Sequence, residues 1–120
     1  METSQATHVR WSDFPRERVG ELIERRYVTG VHLTLAQFFL QKGCLVPTHE
    51  HESEQFVNVV AGKLRLRLGA EVFDVAAGEV LMIPPHVPHS AEALEDSIVF
   101  DAFSPTRKDW IEKRDDYFRR

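Results

Sequence analysis

Residues 43–62 read GCLVPTHEHESEQFVNVVAG, and five of them, Gly43, His49, His51, Gln55 and Gly62, follow the spacing G-x5-H-x-H-x3-Q-x6-G. The two histidines and the glutamine fall at even intervals. On an extended chain they share one face, while Glu50, Glu52 and Glu54 point to the other. One short segment thus offers three donors to a single cation. Gly78, Pro84 and His89 form a second half downstream, and His89 brings a fourth donor from a later strand. A structural alternative places His49 and His51 in an exposed acidic loop with those glutamates.

Outward from this segment, hydrophobic runs broken by turn residues recur from about residue 21 to 103, the pattern of an all-β sandwich or barrel. Strands are predicted over 31–40, 55–60, 63–68, 71–75, 80–83 and 97–103, with 63–68 pairing back on 55–60. Turns fall at Gly69-Ala70 and Ala77-Gly78-Glu79. Residues 16–27 fit either a helix face through Val19, Leu22, Ile23 and Arg26 or an edge strand over 21–28. At the other end Ser104 is placed to cap, and Pro105 to open, a helix over 105–118 that packs Trp110 and Ile111 against the outside of the barrel. With no repeat or linker in 120 residues, the expected organisation is an N-terminal extension, 1–20, and a single domain, 21–120.

Composition excludes several classes of function. A net charge of −4 provides no basic field for a phosphate backbone, so nucleic acid is not an expected partner. Lys63, Arg65 and Arg67 do form a basic stripe, but they alternate with Leu64, Leu66 and Leu68 as one solvated and one buried strand face do. No apolar run approaches the roughly 20 residues that span a bilayer, so no membrane partner is expected. The first residues show neither a basic cap nor an apolar stretch, and the expected compartment is the cytoplasm. Cys44, the sole cysteine, is read as a small apolar filler or a fifth donor.

In these two halves the chain resembles the cupins, whose first motif is G-x5-H-x-H-x3,4-E-x6-G and whose second is G-x5-P-x-G-x2-H-x3-N. Gln55 stands for the glutamate of the first, and His86 and Ala93 stand for the second glycine and the asparagine of the second. The resemblance implies a double-stranded β-helix, or jelly-roll, barrel with the short C-terminal helix outside it. Within the family the chain is most similar to the uronate-linearising cupins of pectin and alginate breakdown, the KdgF type. The likeness rests on Glu54-Gln55 and on the run from Asp101 through Phe103, Pro105 and Arg107 to Trp110. It implies a metal held by His49, His51, Gln55 and His89, with Asp101 as acid/base, Arg107 as carboxylate binder and Phe103 as a pocket wall. The same ligand set also resembles that of a cupin isomerase of bacilysin synthesis, so the donors alone do not name a reaction.

Three imidazoles suit one divalent transition ion, whether Ni, Zn, Fe, Mn or Co. A neutral amide in place of a carboxylate leaves more net positive charge on that ion, which favours Lewis-acid over redox chemistry. Asp101 shares a strand face with Val99 and Phe103 and is expected inside, either moving a proton or pairing with Arg107 or a ligand. Arg107 is read as gripping a substrate carboxylate or as a solvated side chain, and His86 as a turn residue or part of the pocket mouth. His8 and His32 are read as surface or filler. The expected function is a metal-dependent enzyme that opens or tautomerises a carboxylate-bearing sugar such as a 4,5-unsaturated uronate, working as a homodimer on a small-molecule substrate. The alternatives are a cupin dioxygenase and a non-catalytic small-ligand-binding cupin.

Overall fold

The computed structural model describes residues 4–113. After a 3-10 turn at Trp11–Asp13, ten strands follow: β1 Glu17–Gly20, β2 Ile23–Thr29, β3 Thr34–Leu40, β4 Leu45–His49, β5 Glu54–Ala61, β6 Lys63–Leu68, β7 Glu71–Ala76, β8 Val80–Ile83, β9 His89–Ala93 and β10 Ser97–Ser104. One short helix, α1 Lys108–Ile111, completes the described residues. The strands form an antiparallel six-stranded sheet, ordered β1-β2-β3-β10-β5-β8, and an antiparallel four-stranded sheet, ordered β4-β9-β6-β7.

Period-two patterning explains why the two sheets face each other. In β5 the residues Gln55, Val57 and Val59 are buried while Glu54, Phe56, Asn58 and Val60 are exposed. In β10 it is Ser97, Val99, Asp101 and Phe103 that point inward. Leu64 and Leu66 of β6, Val46 of β4 and Val75 of β7 close the core from the smaller sheet, each worth about 1.5–3 kcal/mol on full burial. The polar interruptions Gln55 and Asp101 therefore sit in the middle of the inward-facing stripes.

Four expectations are corrected. Residues 63–68 do form a strand, but β6 pairs with β7 and β9 and leaves β5 to the other sheet. Gly62 is the cause: at φ 85° its Cα lies where any Cβ would run into Asp96 O and Ser97 Oγ, so the chain passes from one sheet to the other instead of reversing in plane. Lys63 N then donates to Ser97 Oγ (3.1 Å), which fixes the crossing. Residues 21–28 are not an edge, because β2 is flanked by β1 and β3, and β1 lies within the segment read as an extension.

The helix begins at Lys108, not at Pro105. Ser104 is still paired with Glu54 at the end of β10, so the strand occupies the residues expected to cap and open a helix. The Ser104–Pro105 peptide is cis, and Arg107 is the residue that precedes the helix. Residues 114–118 of the expected helix lie outside the described residues. Trp110 does not lie on the outside of the barrel: it is fully buried, while Ile111 is exposed. Tyr27, Phe38 and Phe103 surround the indole at 5.1, 5.7 and 5.1 Å between ring centroids, and this aromatic socket draws it into the barrel's open end.

Candidate metal centre

β4 and β9 bring the first two donors together, since His49 and His89 are directly paired across the strands and their rings lie 4.4 Å apart. His51 lies past the end of β4, in the loop before β5, so the even spacing does not act through one continuous strand. The loop is held in place instead: His86 N donates to His51 O (2.9 Å), and Ser53 Oγ donates to Pro105 O (2.6 Å). The His51 ring then stands 5.0 Å from His89 and 5.7 Å from His49. One ligand atom from each of His49, His51 and His89 falls within 4.8 Å of the other two. Metal–nitrogen bonds of about 2.1 Å place donor pairs roughly 3–4 Å apart, so small ring rotations complete the set.

The chemistry of these rings decides whether a cation fits. Each Nδ1 faces a backbone carbonyl, His49 that of Pro47 (2.7 Å), His51 that of Ser53 (2.8 Å) and His89 that of Val87 (2.8 Å). A carbonyl only accepts, so in a neutral ring Nδ1 carries the proton and Nε2 presents its lone pair. Burial keeps the rings neutral, pushing His49 down to about 3 and His51 to about 4, and lowering His89 in the same way. His89 Nε2 is buried with no hydrogen-bond partner among the described residues.

Gln55 completes the arrangement. Its Nε2 donates to Asp101 Oδ2 (2.8 Å), which turns Oε1 toward His51 Nε2 at 3.0 Å. In the tautomer whose Nδ1 proton is donated to Ser53 O, His51 Nε2 and Gln55 Oε1 face each other as two lone pairs across 3.0 Å. A divalent cation would resolve this conflict, and the same ion would satisfy Nε2 of His89. The residues present therefore fit a metal held by His49, His51, His89 and Gln55.

Asp101 is buried, and burial pushes its carboxyl up to about 7 against the opposing pull of Gln55 and Arg107. Arg107 is also buried, so the solvated reading does not hold. Its Nε and Nη2 grip Asp109 Oδ1 and Oδ2 at 2.9 and 2.6 Å, and its guanidinium lies 4.7 Å from the Phe103 ring and 4.4 Å from Trp110. Its charge still reaches inward, contributing to the lowering of all three imidazoles. Phe103 meets His51 edge-on at 5.7 Å and forms a wall between the imidazoles and Arg107.

A cavity of about 50 Å³ inside the barrel is lined by His49, Gln55, His89, Asp101, Phe103 and Arg107 over an apolar floor. That is room for an ion and a water molecule. A cleft of about 390 Å³ outside it shares His49, His51 and Arg107 and adds Glu50, Glu52, Lys108 and Asp109. Its size falls within the range of small-molecule sites. Every expected site residue thus lies in one region.

Other residues turn out differently from, or beyond, the sequence reading. Cys44 is outside the donor cluster, a buried thiol pushed up to about 11 by its apolar surroundings, which makes it a filler. His86 is exposed at φ 62° and serves the turn. Ser53 and Asp109, which pin the donor loop and Arg107, were not singled out; the polar Ser53 between charged neighbours carried no signal of burial.

An antiparallel barrel gathers three imidazoles and one amide in its interior, a donor set that could hold one metal ion. The chain matches the cupin domain over residues 37–102, and it belongs to the cupin family. It is similar to the pectin degradation protein KdgF of Dickeya dadantii, with 28% identity over 100 residues that cover 81% of this chain and 91% of that one. Among solved structures it is similar to KdgF from a Halomonas species, with TM-score 0.77, 30% identity and coverage of 82% and 94%. An RmlC-like cupin from Shewanella frigidimarina matches with TM-score 0.78, 25% identity and coverage of 90% and 96%.

Proposed function

We propose that this cupin is a metal-dependent isomerase- or lyase-type enzyme that opens and tautomerises the ring of a carboxylate-bearing sugar, such as a 4,5-unsaturated uronate. The observation that carries the proposal is the placement of buried Asp101 and Arg107 beside four converging lone-pair donors, under a cleft of sugar size. Similarity to two KdgF proteins, one named for pectin degradation, supports the substrate class. A bound divalent ion, Ni, Zn, Fe, Mn or Co, supplies Lewis acidity toward a substrate oxygen, strengthened by a neutral amide ligand.

The chain's own residues do the rest. Arg107 attracts and orients the substrate carboxylate at the floor of the cleft. Phe103 holds the ring against the imidazoles. Asp101 accepts the proton of the anomeric hydroxyl as the ring C–O bond breaks to give an aldehyde and an enolate, then returns that proton to the alkene carbon as the enolate becomes a ketone. The reaction is an isomerisation, so no co-reactant is needed. The same reading includes a homodimer in the cytoplasm.

The test is the ultraviolet absorbance of an unsaturated uronate mixed with metal-loaded protein. Its decay at a rate above background supports the proposal, and an unchanged signal removes this substrate class.

A further inference from the structure

Arg107 is fixed along one edge by the chain itself. Its Nε and Nη2 donate to Asp109 Oδ1 and Oδ2 at 2.9 and 2.6 Å, the side-on, in-plane grip that a carboxylate makes on a guanidinium. The rings of Phe103 and Trp110 lie 4.7 and 4.4 Å from the same group. The Arg107 backbone N donates to buried Thr34 Oγ1 at 3.1 Å, and Ser53 Oγ holds Pro105 O, two residues earlier, at 2.6 Å. These contacts set the plane of the guanidinium without a substrate. A guanidinium has two bidentate edges, Nε with Nη2 and Nη1 with Nη2, and Asp109 takes the first. A flat ligand carboxylate lying in the same plane matches the second.

Asp109 is also a counter-charge. Burial alone would raise its carboxyl, but the bond and the charge of Arg107 hold it below the ordinary carboxylate value, so it stays ionised beside the arginine. The cleft over this pair is lined by three carboxylates, Glu50, Glu52 and Asp109, against two cations, Arg107 and Lys108. A divalent ion on the neutral donors His49, His51, His89 and Gln55 would leave the region with one net positive charge, the match of a singly charged ligand. Anionic sugars carry that charge as a carboxylate, whereas a phosphate ester is tetrahedral and carries about −1.5 to −2 near pH 7.

We propose that Asp109 is a specificity-determining residue of this cleft: it fixes Arg107 side-on and lies beside it as a counter-charge, so that a sugar with one planar carboxylate is admitted and a sugar phosphate is turned away. The carboxylate completes an in-plane array of Asp109, Arg107 and ligand. A phosphate cannot lie flat along the second edge, and its extra charge comes beside Asp109, with Glu50 and Glu52 lining the same cleft, where like charges repel. The inference rests on the carboxylate-binding role given to Arg107 in the proposed function and adds to it the discrimination between two classes of anionic sugar.

The test reads binding and needs no turnover. Galacturonate, galactose 6-sulfate and galactose 6-phosphate are titrated calorimetrically into the zinc-loaded full chain near neutral pH. The natural chain is expected to bind galacturonate about 10-fold or more tighter than the phosphate, with the sulfate, tetrahedral but singly charged, in between. Asp109→Asn keeps an acceptor for Arg107 and removes the charge. It is expected to shrink the galacturonate-to-phosphate ratio by about 10-fold, and Asp109→Glu is expected to keep the natural preference. A purely structural role for Asp109 weakens all three ligands alike, and an unchanged ratio in folded Asp109→Asn overturns the proposal. Should that variant not fold, the order of the three ligands on the natural chain decides: a phosphate bound as tightly as either of the others, or a sulfate that outranks galacturonate, overturns it as well. A natural chain that binds none of the three overturns the carboxylate-binding role of Arg107 itself, and this proposal with it.

Discussion

Asp101 Oδ2 accepts a hydrogen bond from Gln55 Nε2 at 2.8 Å, and so decides which atom of the Gln55 amide faces the three imidazoles. A residue read as an acid/base thus also orients a ligand. The two roles separate by substitution. Asp101→Asn keeps an acceptor oxygen and should retain the metal while turnover of an unsaturated uronate is lost. Asp101→Leu offers no acceptor and should weaken metal affinity by about 10–100-fold. Metal titration and absorbance kinetics on both variants check this, and an Asn variant with full turnover would remove the acid/base role.

Removing the ion should expose the conflict among the donors. Metal that binds only the folded chain stabilises it by about 2.7 kcal/mol at 100 times its dissociation constant, or roughly 10 °C in Tm for a chain of this size. Chelator treatment should lower Tm by that order, and added metal should restore it. His49→Ala and His89→Ala should show no such response, and a chelator effect that persists in both would place the ion elsewhere.

The metal-free protein should also have a defined pH dependence. Burial holds His49 near 3 and His51 near 4 in the folded chain, against 6.5 in the unfolded one. As pH falls below about 6.5 the unfolded chain takes up protons that the folded chain refuses, so stability present at neutral pH is progressively lost toward pH 4. Asp101 has the opposite sign: burial raises its folded value to about 7, so its contribution is lost as pH rises through that value. Urea unfolding in the presence of chelator should therefore show maximal stability near pH 7. A curve that keeps rising down to pH 5 would contradict these assignments.

Two backbone positions make opposite predictions. His86 occupies a left-handed conformation at φ 62°, where the cupin motif has glycine, and His86→Gly should stabilise the protein by about 0.5–1 kcal/mol. Gly62→Ala should destabilise it by several times that, because a Cβ there collides with the backbone of Asp96 and Ser97. Denaturant midpoints measure both, and a neutral Gly62→Ala would show that the crossing between sheets is more yielding than its geometry implies.

Much of the fold was legible because alternation in β5 and β10 is a local signal: Gln55, Val57 and Val59 on one strand and Val99, Asp101 and Phe103 on the other announce their inward faces. Partner choice is not local. That β6 leaves β5 for β9 depends on Gly62 meeting Ser97, 35 residues away, and no periodicity encodes it. The donors were legible as residue types in order, yet their convergence depends on the bonds that Ser53 and His86 make to pin the loop. Trp110 was misplaced because helical spacing says which residues share a face but not which side of a barrel that face meets. Arg107 has the same lesson, since its bond to Asp109 two residues on has no sequence signature.

The proposed metal centre rests on four donor atoms, Nε2 of His49, His51 and His89 and Oε1 of Gln55, that would share one cation. Anomalous diffraction at the absorption edge of a divalent transition metal, from crystals of the metal-loaded protein, tests this most directly. The expected result is a single peak bonded to those four atoms, with each Nδ1 still on its backbone carbonyl. An absent peak at saturating metal, or one bound outside this set while the four side chains keep their present positions, would contradict it.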